Sequence, residues 1–181
     1  MTSDIWSFQP ENAFQWIIAF CLFEIPMALF YWNISKEGDF VRKWYRGDFI
    51  NIWNVLLQDA VYVIVGIIIA MYLLSLFHQQ FQVPKTLFTF LAVFIAVQII
   101  GDLTFASILL RIPSAYTNKW VQFFKDYIRG SQWYALFGDT LYVIAWTLTY
   151  YLLSVYIQPS FSLQVAILCT FLFLASAYSI R

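Results

Sequence analysis

Hydrophobic positions run along the chain in five long continuous stretches, at about 13–32, 50–77, 86–110, 132–157 and 161–180. Each has the roughly 20 apolar residues that a helix needs to cross a bilayer core. Continuous runs predict helices, whereas a membrane barrel would alternate with period two. Turn residues break the pattern at Val83-Pro84-Lys85 and at Gln158-Pro159-Ser160. Both breaks are short and predict antiparallel neighbours. The expected fold is an all-α integral membrane protein, with residues 1–181 forming a single transmembrane domain built as a five-helix bundle. Between the third and fourth stretches, residues 117–129 gather Trp120, Phe123, Phe124, Tyr127 and Ile128 on one helical face, with Lys119, Gln122, Lys125, Asp126 and Arg129 around the rest. This predicts an amphipathic helix lying in the membrane interface. The 39–47 stretch, with Phe40, Trp44 and Tyr45 among Arg42, Lys43 and Arg46, reads as a weaker version. The simplest role for both is anchoring to anionic headgroups.

Composition sharpens this picture. Of 181 residues, 62% are hydrophobic and 11% charged, against about a quarter charged in a soluble domain. A soluble domain, a disordered chain and a nucleic-acid binder are excluded, and the partner implied is the lipid bilayer. A homo-oligomer fits the same composition. Net charge is zero, but its distribution is not even. Five spans place Lys36, Arg42, Lys43, Arg46, Arg111, Lys119, Lys125, Arg129 and Arg181 on one side and only Lys85 on the other. The positive-inside rule then puts the N-terminus outside and the C-terminus in the cytoplasm. The Asn33-Ile34-Ser35 sequon would stay cytoplasmic and unmodified. The first twelve residues carry Asp4 and Glu11 and no basic residue, unlike a cleavable signal peptide.

Four acids interrupt the apolar runs: Glu24, Asp59, Asp102 and Asp139. Counted from the span ends at 1.5 Å per residue, all four are expected about 10–13 Å in from the basic face. Acids at such depth are expensive and usually face a bundle interior or a watery cavity. Gln98 is one turn from Asp102, Gln58 adjoins Asp59, and Asn54 is one turn before Gln58. Tyr62 and Tyr142 follow Asp59 and Asp139 by three residues. No basic residue shares the layer. Four bare carboxylates close together cannot all ionise in a low dielectric. Some are then protonated, or a cation or water is present. If a metal binds Glu24, Asp59, Asp102 and Asp139, an oxygen-only set suits Ca²⁺, Mg²⁺ or Mn²⁺. The plainer alternative is interhelical hydrogen bonding alone.

The second and fourth stretches repeat a pattern. Trp53-x-x-Leu56-x-x-Asp59-x-x-Tyr62-Val63-Ile64 matches Trp133-x-x-Leu136-x-x-Asp139-x-x-Tyr142-Val143-Ile144 at an offset of 80. Glu24 and Asp102 are offset by 78. This predicts a tandem repeat of two helical hairpins, spans one-two and three-four, with a fifth helix appended.

Much chemistry is missing. The single histidine, His78, is expected in an outer loop, and no lysine lies in a span, so bis-histidine haem and a retinal Schiff base are excluded. There is no phosphate loop, no Ser-His-Asp set and no CxxC, and Cys21 and Cys169 read as core fillers. No cofactor is expected beyond a bound cation or lipid, and an enzyme is the weaker reading. One segment carries a resemblance. Gln98-Ile99-Ile100-Gly101-Asp102-Leu103-Thr104-Phe105, then Arg111-Ile112-Pro113, Asn118, Phe124-Lys125-Asp126-Tyr127 and Gly138-Asp139 resemble uncharacterised multi-pass membrane proteins of large DNA viruses of algae and other protists. Gly101 stands where those proteins carry a histidine. The resemblance implies a viral origin and a shared site around Asp102, Asn118 and Asp139, with no known activity.

The leading expectation is a cation or proton channel or transporter, with Glu24, Asp59, Asp102 and Asp139 as the site and Gln98, Tyr62, Tyr142, Gln58 and Asn54 as its polar companions. The alternatives are a membrane enzyme or receptor that holds an apolar ligand through buried acids, and a structural membrane protein of a virion or organelle.

Overall fold

A computed structural model describes residues 4–34, 40–46, 52–131 and 133–179. The described residues form helices and turns, with no strand among them. The helices are α1 (Pro10–Ile34), α2 (Phe40–Arg46), α3 (Ile52–Phe81), α4 (Leu87–Arg111), α5 (Lys119–Ser131), α6 (Trp133–Leu152) and α7 (Phe161–Ser179). Local chemistry sets their ends. Pro10 opens α1, where its missing N–H is not needed. Thr86 and Thr89 close a reciprocal capping box on α4. Pro113 follows the end of α4, and a 3-10 turn over Ser114–Tyr116 leads into α5. The expected helix over 117–129 is therefore shifted by two residues. Two left-handed glutamines, Gln82 and Gln158, reverse the chain after α3 and α6.

Three segments are long and apolar enough to cross a membrane: Trp53–Phe81, Leu87–Arg111 and Trp133–Ile157. Only 22%, 17% and 28% of their most apolar windows are buried inside the protein. Leu57, Val65, Ile68, Ile100, Leu103 and Leu141 point outward instead. Apolar surface on this scale requires a hydrocarbon surrounding. The three apolar helices point to a membrane protein.

The five long helices pack as a ring in the order α3, α4, α6, α1, α7 and back to α3. This corrects the expected neighbours. α1 packs on α6 and α7 rather than on α3, and α7 packs on α1 and α3 rather than on α6. α2 intervenes between α1 and α3, so no tight turn holds α1 against α3. The end of α6 widens into a π-helical turn over Leu153–Ile157, and Gln158 then redirects the chain. The helix contacts are antiparallel between α1 and α6, where Trp16 stacks on Tyr150 at 3.9 Å, Phe20 meets Trp146 and Phe23 meets Tyr142.

The ring has two ends. At one, the N-terminal segment folds over the bundle: Trp6 stacks on Phe90 and Tyr151, the Tyr150 hydroxyl donates to the Ile5 carbonyl, and Lys85 pairs with Asp4 at 2.6 Å. At the other lie α2 and α5 with Arg42, Lys43, Arg46, Arg111, Lys119, Lys125 and Arg129. Lys36, Ser35 of the sequon and Arg181 lie outside the described residues. His78 is not in a loop. α3 runs on to Phe81, and His78 Nδ1 donates to the Val83 carbonyl at 2.9 Å, tying down the turn.

Candidate functional site

Helical period places the acids on the ring's inner faces. Asp59 continues the buried stripe of Val55, Val63, Ile67, Ala70 and Leu74 on α3. Asp102 continues Phe90, Phe94 and Gln98 on α4, and Asp139 continues Val143, Trp146 and Tyr150 on α6. Glu24 is fully buried on α1.

Asp102 is the centre of a hydrogen-bonded chain across three helices. One of its oxygens accepts from the Tyr62 hydroxyl of α3, the other from the Gln98 amide one turn away. Gln98 in turn accepts from the Thr140 hydroxyl of α6 at 3.1 Å. Gly101 makes room for this: a Cβ there would lie 2.9 Å from the Tyr62 oxygen. Asp139, beside Thr140, lies within electrostatic range of Asp102 and Asp59. It makes no side-chain hydrogen bond among the described residues.

Below this layer, α2 and α5 supply donors. The Trp44 indole donates to Asp59 at 3.3 Å, and the Trp120 indole donates to Gln58 at 2.7 Å. Both rings belong to one aromatic cluster. Trp44 stacks on Phe123 and meets Phe124, and Trp120 meets Phe105 and Phe124. The aromatic face of α5 is therefore turned onto the bundle, not out toward headgroups. Tyr127 belongs to the same cluster, and burial, followed by the nearby Asp139 and Asp102, holds its phenol above the ordinary tyrosine value.

Of the four acids expected in one layer, Asp139 lies within electrostatic range of Asp102 and Asp59. Asp59, Asp102 and Asp139 associate. Glu24 follows Phe23, which meets Tyr142, so counted along α6 it sits about 3 Å further from the basic end than Asp139. Among the described residues no three of His, Cys, Asp and Glu form a metal-ligating group, so the four acids are not one metal site. Tyr142 also departs from its expected role. Its hydroxyl is buried and has no hydrogen-bond partner among the described residues. Asn54 is exposed on α3.

Four participants escaped the sequence reading as site residues: Trp44, Trp120, Thr140 and Tyr127. The indoles looked like interfacial anchors. A signal was available, because buried acceptors such as Asp59 and Gln58 need donors, and no lysine or arginine lies at their depth. No protein-family model, no curated protein and no solved structure matches the chain.

Proposed function

We propose that α1 and α7 complete a five-span bundle with the three apolar helices, that the α2–α5 end faces the cytoplasm, and that the protein carries protons or small cations through Asp59, Asp102 and Asp139. The observation that carries this reading is the Tyr62–Asp102–Gln98–Thr140 chain, which links three helices at one level and ends beside Asp139. Carboxylates joined through hydroxyls and an amide can pass a proton by reorienting donors, with little backbone movement. Asp102 and Asp139 hold the proton or cation. Tyr62, Gln98 and Thr140 fix their orientation. α2 and α5 brace the mouth through the two indoles.

The repeat supports a shared origin for the two halves. Gly66 of α3 packs on Phe94 of α4, and the positions 80 and 78 residues on or back, Trp146 of α6 and Trp16 of α1, are also bonded, at 3.3 Å. Tyr62 meets Asp102 where Tyr142 meets Phe23, next to Glu24. The repeated unit is then long helix, short helix, long helix, with α7 wedged where α1 and α3 would close.

Reconstitution in liposomes with an imposed pH gradient tests this. Wild-type protein should dissipate the gradient, and Asp139→Asn should slow it at least about tenfold, as loss of a proton-holding group would. Replacing the pH gradient by Na⁺ or K⁺ gradients separates proton from cation transfer. Liposomes no leakier than protein-free controls under every gradient would refute the proposal.

A further inference from the structure

The carboxylates lie toward the basic end of the ring, which leaves most of the span between them and the N-terminal end. That stretch is filled by aromatic side chains, yet it holds polar atoms that the protein itself leaves unsatisfied. Trp16 is 3% exposed and Thr147 is 0% exposed, and neither the Trp16 Nε1 nor the Thr147 hydroxyl has a hydrogen-bond partner among the described residues. The Tyr142 hydroxyl is in the same condition. Buried polar groups are almost always satisfied, by protein or by ordered water. Thr147 shares the face of Thr140, which reaches Gln98 of α4, and Trp16 also packs on Phe90 and Phe94 of α4, so the three line one seam between α1, α4 and α6 and call for a common partner.

Their order is informative. On α6, Tyr142 follows Asp139 by one turn, Thr147 comes next, and Trp16 of α1 lies over Tyr150. Axial steps are about 4.5 Å from Asp139 to Tyr142, 7.5 Å to Thr147 and 4.5 Å to the Tyr150 level. Nearer the N-terminal end, Ser154 donates to Gln15 at 2.6 Å, and the Tyr150 hydroxyl reaches the Ile5 carbonyl. Each step is one to three water diameters. The seam thus runs from the carboxylates to the N-terminal surface.

We propose that a file of ordered water occupies the seam between α1, α4 and α6, held by Tyr142, Thr147 and Trp16, and joins the carboxylate layer to the N-terminal end. Its use as a conduit rests on the transfer function proposed above; its presence does not. As a conduit it supplies the second half of a path whose first half is the hydrogen-bonded chain on Asp102.

Trp146 provides an internal control, because its indole N–H is satisfied by the Trp16 carbonyl at 3.3 Å. Water-to-protein polarisation transfer, read at the indole ¹⁵N resonances by solid-state NMR of the full chain in bilayers, should light up Trp16 and leave Trp146 dark. Trp16→Phe assigns the signal. Thr147→Val, which removes a single hydroxyl, should lower the Trp16 transfer about threefold or more, and Tyr142→Phe is the parallel variant should Thr147→Val fail to fold. A Trp16 indole as dry as Trp146 in the wild type overturns the water file. Proton flux measured on the same samples is a separate readout: wet Trp16 with no flux sustains the water file and refutes the transfer function, whereas flux with dry Trp16 does the reverse.

Discussion

Asp102 accepts side-chain hydrogen bonds from both Tyr62 and Gln98, and its surroundings depend on the absence of a side chain. Gly101 leaves the space that the Tyr62 hydroxyl occupies. Gly101→Ala should gain about 0.5–1 kcal/mol of helix propensity and lose about 0.5–1.5 kcal/mol with the displaced hydrogen bond. Stability should hardly change, while flux should fall to the level of Tyr62→Phe. Paired thermal melts and flux assays check this, and full flux in both variants would remove Tyr62 from the site. The acids themselves were legible in the sequence, since a carboxylate in an apolar run announces itself. Gln98 and Tyr62 were legible as companions from helical spacing, and both bond Asp102; the indole donors were not, because Trp44 and Trp120 carry an apolar body and one N–H, and the same side chain suits either a headgroup or a buried acceptor.

At the scale of elements, the short helices hold the mouth of the ring. Lys125 is buried on α5, and its ammonium donates to the Ile112 carbonyl just past the end of α4 and to Thr117 at 3.3 Å. It acts as a cap joining the two helices, where a cation also suits the C-terminal dipole. Lys125→Met should leave the Ile112 carbonyl unsatisfied and destabilise the fold by about 1–3 kcal/mol, measured by denaturant unfolding in micelles. Trp44→Phe and Trp120→Phe keep most of each ring and remove its N–H, so each should cost about 1 kcal/mol. Faster hydrogen exchange over 40–46 and 119–131 is the expected signature, and unchanged exchange would mean the indoles do not latch these helices. Every long helix was legible from its apolar run to within a few residues. Which helices touch was not, because chain proximity suggested hairpins, and only the π-helical turn before Gln158 carries α7 across to α1 and α3.

For the whole molecule, the outward apolar faces of α3, α4 and α6 suit a lipid surrounding, which α7 shares in the proposed five-span bundle. Cys169 lies midway along α7 and is exposed, whereas Cys21 is buried in the ring. Thiol labelling requires a thiolate in contact with water. In bilayers Cys169 should therefore resist a water-soluble maleimide, and should react once the protein is unfolded in SDS; rapid labelling in intact bilayers would show that α7 does not span. Under the proposed function, ions cross through the carboxylates rather than past them. The most direct test is proton flux through liposomes carrying wild-type protein or Asp102→Asn, with both shown to be folded by matching circular dichroism and elution. Abolished flux in Asp102→Asn beside robust wild-type flux is the predicted result. Equal flux through the two proteins would contradict it.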